Sequence, residues 1–165
     1  MSGGAKMGKT TVVYYSLDGN SQFTAEIIAK ELDAQIIRLY PEKEPPKKGI
    51  GKFLAGGGSA LFLKNYPVKP IDFSVDETDK VVIVYPVWAG TFAPAIGWFL
   101  RTYSLKEKWV AAVACSASGK AEKSFQKISA LIEKENLEAT LSLVNPLLTK
   151  EETKRKVREF CERVK

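Results

Sequence analysis

Short, dense apolar runs alternate along this chain with longer stretches in which apolar residues return every three to four positions. Thr10 to Tyr15 (TTVVYY), Val81 to Tyr85 (VVIVY) and Trp109 to Cys115 (WVAAVAC) are β-branched, aromatic or small throughout, the pattern of strands buried on both faces. Gln35 to Leu39 (QIIRL) and Ala139 to Val144 (ATLSLV) predict two further strands. Between the strands, Ala25, Ile28, Ala29 and Leu32 share one helical face, as do Ala121, Phe125, Ile128 and Ile132. Pro94 to Tyr103 predicts a helix with proline in its first turn. Val157, Phe160, Cys161 and Val164 mark a last helix, which Thr149 and Glu152 are expected to open as a capping box. Five strands alternating with helices imply parallel pairing through right-handed crossovers, hence a three-layer α/β sandwich.

Pro41 to Asp79 breaks this rhythm. It holds PEKEPPKK, the glycine-rich KFLAGGGSALFLK and two more prolines, and predicts no strand. Ile50 to Leu63 reads either as a helix, in which Gly56, Gly57 and Gly58 would each cost about 1 kcal/mol relative to alanine, or as a mobile flap. The insertion is too small, and too polar at its ends, for a second domain. The expected organisation is a flexible leader or expression scar over residues 1–9 and a single α/β domain over residues 10–165.

Composition narrows the chemistry. With 165 residues, 45% apolar and 27% charged, the chain can bury a core without disulfides, and none of its apolar runs approaches the roughly 20 residues of a membrane span. The absence of histidine excludes Ser-His-Asp and Cys-His mechanisms and any histidine-bearing metal site. Cys115 and Cys161 lack metal-ligand spacing, and two isolated thiols fit a reducing compartment, so the cytoplasm is expected. The net charge of +6 is spread over Lys47, Lys48, Lys52, Lys64, Lys69 and the last helix. Without a recognition module or an aromatic-basic motif, that charge reads as a solvated surface rather than a nucleic-acid interface, and it leaves room for an acidic partner or substrate.

Two glycine turns compete as phosphate sites. GGAKMGKT, from Gly3 to Thr10, fits the G-x-x-x-x-G-K-[ST] expression, but a phosphate loop of that type must come after a strand and open a helix. Here nothing strand-like precedes Gly3, and the chain beyond Thr10 is a strand rather than a helix, so the match reads as chance. Ser16-Leu17-Asp18-Gly19-Asn20-Ser21 has the required context, leaving the first strand and entering a helix at about Ser21. Its amides would meet the positive helix end, Gly19 permits a positive φ, and the hydroxyls of Ser16 and Ser21 can donate to phosphate oxygens. An ordinary β-α connection in which Asn20 or Ser21 merely caps the helix fits this stretch equally well.

Ser16-Leu17-Asp18-Gly19-Asn20-Ser21 resembles the T/S-x-T-G-N-T phosphate loop of the flavodoxins, with Asp18 where that family has a hydroxyl. Pro86-Val87-Trp88-Ala89-Gly90-Thr91-Phe92-Ala93-Pro94 is similar to the P-x-W-x-G-T-x-x-P flavin-ring loop of flavodoxin-like proteins. The resemblance implies a flavodoxin-like sandwich with strand order 2-1-3-4-5, in which both loops meet at the topological switch point. It further implies FMN as cofactor. Ser16, Gly19, Asn20 and Ser21 would hold the phosphate, the Asp18 side chain would turn to solvent, and Trp88 would stack on the ring. The peptide at Ala89 or Gly90 would turn a carbonyl toward flavin N5 on one-electron reduction. The third strand-end loop, Ser116-Ala117-Ser118-Gly119, lacks the family's usual aromatic cover, which leaves one ring face open or covered by Phe92 or the glycine-rich flap.

The function so implied is one-electron transfer between redox protein partners or to a small-molecule acceptor. Two alternatives stand beside it. One is an NAD(P)H-dependent FMN or quinone reductase of the same fold, which the basic charge and an uncovered ring face would suit. The other is a flavin-free anion-binding module, which Asp18 would suit.

Overall fold

The computed structural model describes residues 8–44 and 66–165, so the Ile50 to Leu63 segment and most of the GGAKMGKT stretch lie outside the described residues. The chain runs β1 (Thr10–Tyr14), α1 (Asn20–Leu32), β2 (Gln35–Arg38), β3 (Lys80–Trp88), β4 (Thr91–Phe92), α2 (Pro94–Thr102), β5 (Trp109–Ser116), α3 (Glu122–Leu131), β6 (Ala139–Val144) and α4 (Lys150–Val164). Five strands pair in parallel in the spatial order β2-β1-β3-β5-β6, the expected 2-1-3-4-5 topology once the short β4, which pairs antiparallel with β3, is set aside.

Register is set by the apolar runs. Val12 pairs with Val82, and Val82 in turn with Ala111, so successive residues of the three central strands reach the same face together. Val13, Ile83 and Ala112 are buried on one face with Ile96 and Phe99 of α2 and Ile128 of α3. Val12, Val82 and Val113 are buried on the other with Ala25 and Ile28 of α1 and Val157 and Phe160 of α4. Alanines 111, 112 and 114 keep the middle of β5 thin, so helices pack closely on both sides.

The described stems of the insertion lie together. Pro41 and Val68 form an isolated antiparallel bridge, flanked by Glu42 N–H donating to Pro67 O (2.9 Å) and Lys69 N–H donating to Tyr40 O (2.8 Å).

One local expectation is overturned. Thr149 and Glu152 do not form a capping box. Asn145, at φ 41°, turns the chain so that the Thr149 hydroxyl donates back to Val144 O (2.9 Å), with Asn145 O at 3.3 Å. Glu152 instead pairs with Lys156 one turn ahead (2.9 Å), which lowers the pKa of its exposed carboxyl.

Candidate functional site

The first turn leaves β1 as the chain rises out of the sheet. Gly19 stands at the N-cap of α1 with φ 97°, a conformation that penalises any residue with a Cβ. Ser16, almost fully buried, accepts the Gly19 N–H on its Oγ (3.1 Å). The Asp18 side chain is exposed as expected, yet it does not simply turn away. Its Oδ1 accepts the Asn20 N–H (3.0 Å) and its Oδ2 accepts Asn20 Nδ2–H (3.0 Å), so the carboxylate closes over the first amide of the helix. Asn20 Oδ1 in turn accepts the Leu147 N–H from the β6–α4 connection (2.9 Å). Arg38 of β2 braces the turn, donating to Ser16 O (3.2 Å) and Gln22 Oε1 (2.8 Å). Ser21 Oγ is buried with no hydrogen-bond partner, lying by the Cys115 thiol without meeting hydrogen-bond geometry.

The second segment is less of a loop than its sequence implies. β3 runs through Pro86, Val87 and Trp88 and folds into a hairpin with β4, Val87 facing Phe92 and Trp88 facing Thr91. Ala89 (φ 49°) and Gly90 (φ 75°) make the two-residue turn, both left-handed as a type I′ hairpin requires. Phe92 therefore points down into the core, edge-on to Tyr85 at 6.5 Å between ring centroids. Trp88, half-buried, packs edge-on against Tyr15 at 5.6 Å.

The third turn, at the end of β5, repeats the first. Gly119 (φ 77°) donates its N–H to Ser116 Oγ (2.8 Å), and Lys120 N–H donates to Ser118 Oγ (3.2 Å). Ser142 of β6 donates its hydroxyl to Gly119 O (2.7 Å) and fixes the turn to the neighbouring strand.

These three segments enclose two adjoining cavities. One, of about 220 Å³, is lined by Asp18, Asn20, Pro86, Val87, Trp88, Cys115, Ser116, Ala117, Asn145 and Pro146. The other, of about 650 Å³, lies beyond the shared wall of Val87, Ser116 and Ala117, and adds Ala89, Gly90, Ser118, Lys120, Glu122 and Lys123. Only the larger falls in the range of 300–1,000 Å³ usual for organic ligands. Of the predicted site residues, Ser16, Leu17, Gly19, Ser21, Thr91, Phe92 and Gly119 line neither cavity. Ser16, Gly19 and Gly119 shape the turns from behind. Trp88 borders the smaller cavity alone.

Sequence reasoning missed Asn145 and Pro146 on the small cavity and Lys120 and Lys123 on the large one. Asn145 and Pro146 directly follow β6, while Lys120 and Lys123 lie in the β5 turn and the first turn of α3. Both segments stand at the carboxyl edge of the sheet, where ligands gather in open α/β folds, and that rule would have pointed to them. Burial pushes the Cys115 thiol up to about 11, with its Sγ 3.7 Å from Thr24 Oγ1, so the small cavity is walled by a neutral thiol rather than a thiolate. Among the described residues there is no cluster of metal-ligating side chains, and no helix long and apolar enough to cross a membrane.

No protein-family model and no curated protein matches the chain by sequence. Among solved structures, a Lactobacillus acidophilus flavoprotein in complex with FMN superposes with a TM-score of 0.69 at 18% identity, covering 87% of this chain and 97% of that one. This is a flavodoxin-like fold. A protein of Bacteroides uniformis, provisionally named a flavoprotein, matches at TM-score 0.77 and 18% identity over 94% of this chain and 98% of its own. A flavodoxin, WrbA-like protein from Agrobacterium tumefaciens matches at 0.55 and 17% over 94% and 96%. In the flavodoxin-like sheet the order reverses between β1 and β3, and the crossover helices on the two sides of that point, α1 against α2 and α3, cover opposite faces. The smaller cavity opens above that switch point, and the larger lies beside it over β3 and β5.

Proposed function

We propose that the chain is an FMN-binding electron-transfer protein. The observation that carries this reading is the convergence of the β1 turn, the β3–β4 hairpin and the β5 turn on two joined cavities, because the first two carry SLDGNS and PVWAGTFAP, the flavodoxin-like phosphate and ring motifs. The residues fit a flavin in most respects. Ser16, Asn20 and Ser21 stand at the N-terminus of α1, where the first-turn amides of a helix have no intrahelical carbonyl. The larger cavity, between the hairpin and Ser116 to Lys123, has the size and small-residue lining for a flat ring system. A bound flavin supplies the redox chemistry. The chain's own part is to seat it between the β3–β4 hairpin and the β5 turn, border it with Trp88 and the Ala89-Gly90 turn, and keep its rim accessible to a partner.

A second reading, an NAD(P)H-dependent flavin or quinone reductase, is favoured by one observation: Lys120 and Lys123 place positive charge on the larger cavity, which suits an anionic nicotinamide phosphate. An FMN titration of the purified chain, monitored by visible absorption and flavin fluorescence, tests the common ground of both. The expected result is saturable quenching at one flavin per chain. A colourless protein that leaves FMN fluorescence unchanged would sink both readings. Steady NADPH oxidation with an added quinone would then select the reductase.

A further inference from the structure

Resting on the flavin reading, we infer that Asp18 makes the cleft nearly indifferent to the terminal phosphate of its ligand, so that phosphate-free riboflavin binds about as well as FMN. The phosphate end of the site already holds an anion of its own. The Asp18 carboxylate accepts the Asn20 backbone N–H and the Asn20 Nδ2–H, each at 3.0 Å, and the first of these is a donor that a phosphate loop would offer its ligand. A phosphate monoester carries about −1.5 to −2 charge at pH 7. To enter the small cavity it meets Asp18, the single acidic side chain among the described residues of that lining, which include no lysine or arginine. Arg38, which braces the turn, is committed to Ser16 O and Gln22 Oε1 and lies over the Tyr40 ring at 4.9 Å. The lysines of the cleft, Lys120 and Lys123, stand on the larger cavity instead.

The β5 turn shows that this carboxylate is not needed to build the turn. Ser118 occupies the position equivalent to Asp18 and makes the equivalent bond, accepting Lys120 N–H on a neutral hydroxyl, in a turn with the same serine-to-glycine bond and a glycine of the same hand. The negative charge of Asp18 is therefore additional to the turn's architecture, and its effect falls on whatever approaches the Asn20 amide. The ring end of the cleft, remote from Asp18, receives riboflavin and FMN alike.

The test is a pair of fluorescence-quenching titrations, with FMN and with riboflavin, on wild-type protein, Asp18→Ser and Asp18→Asn at pH 7 and low salt. Asp18→Ser copies the β5 turn, and Asp18→Asn keeps the side-chain oxygen that accepts the Asn20 amide while removing the charge. For the wild type, the two dissociation constants should agree within tenfold. Each substitution should tighten FMN at least tenfold, equivalent to 1.4 kcal/mol, and leave riboflavin within twofold. A wild type that prefers FMN by more than tenfold overturns the inference while leaving the flavin reading intact. So does a substitution that shifts both ligands together, since that is the mark of a structural role. If neither flavin binds the wild type or either variant, the flavin reading itself falls and takes this inference with it.

Discussion

Two turns in this molecule share one frame and have different surroundings. Ser16-Leu17-Asp18-Gly19-Asn20 and Ser116-Ala117-Ser118-Gly119-Lys120 both leave a parallel strand, and both fold the glycine amide back onto the serine hydroxyl (3.1 and 2.8 Å). Both then bring the next amide onto the middle side chain (3.0 and 3.2 Å). After the first, α1 begins at once at Asn20; after the second, α3 waits until Glu122. The first turn is buried at Ser16 and gripped from two sides, by Arg38 and by the Leu147 amide, whereas the second hangs from Ser142 and forms a wall of the larger cavity. A serine, a short acceptor and a glycine thus suffice for the frame. What each turn offers a ligand depends on the side chains set into it and on how soon the helix begins.

The largest effects expected from breaking the frame come from its glycines. Gly19→Ala and Gly119→Ala each force a left-handed conformation on a residue with a Cβ, at about 1–2 kcal/mol. The new methyl of Gly119→Ala would also sit 3.1 Å from Val144 Cγ2, on a stiff β-branched side chain, whereas that of Gly19→Ala would meet the movable end of Leu147 at 3.3 Å. Urea denaturation should show both variants destabilised, Gly119→Ala the more. Equal stability to wild type in either would mean that the turn relaxes to another conformation.

Removing the serines separates the two turns by burial. In Ser16→Ala the Gly19 N–H loses its acceptor where water has little access, at a cost of about 1–2 kcal/mol. In Ser116→Ala the hydroxyl is lost from the wall of an open cavity, where water can replace it as the acceptor of the half-buried Gly119 N–H, so a loss of about 0.5 kcal/mol is expected. The same denaturation experiment checks the ranking, and a larger loss at Ser116 would contradict it.

The three central strands were legible because they are buried on both faces and therefore read as unbroken apolar runs. Helix faces were legible from their period, and the β1 turn from its position between a strand and a helix. What escaped was whatever depends on a distant neighbour. Phe92 looked like a ring cover because its sequence neighbours resemble a flavin loop, but β4 pairs with β3 and turns it inward onto Tyr85. Thr149 and Glu152 had capping-box spacing, but the left-handed Asn145 turns the chain so that the Thr149 hydroxyl points back to Val144 O and accepts no helix amide. Asp18 was expected to avoid the helix end, and instead the Asn20 amide and side chain together draw its carboxylate onto that end. Lys120, Lys123, Asn145 and Pro146 enter the cleft through strand order, a property of the assembled sheet rather than of any segment.

An equally small expected effect on stability, at Asn20, is the most local test of the difference between the turns. Asn20 has a link that Lys120 lacks: its Oδ1 accepts the Leu147 N–H and so ties the β1 turn to the connection between β6 and α4. Asn20→Ala removes this bond and the one to Asp18 Oδ2, but it places a strong helix former at the first position of α1, so the two changes partly offset and the net loss should be about 0.5 kcal/mol. The amide of Leu147 should respond more than global stability does, because its acceptor is gone while the fold around it persists. Hydrogen exchange at that amide should quicken at least tenfold relative to wild type, while the Gly119 amide, held by its own serine, stays unchanged. An unchanged Leu147 rate would show that the connection is ordered without Asn20, by Leu148 N–H and Thr149 N–H donating to Asn145 O (2.8 and 3.2 Å), and the two turns would then differ only in charge and burial.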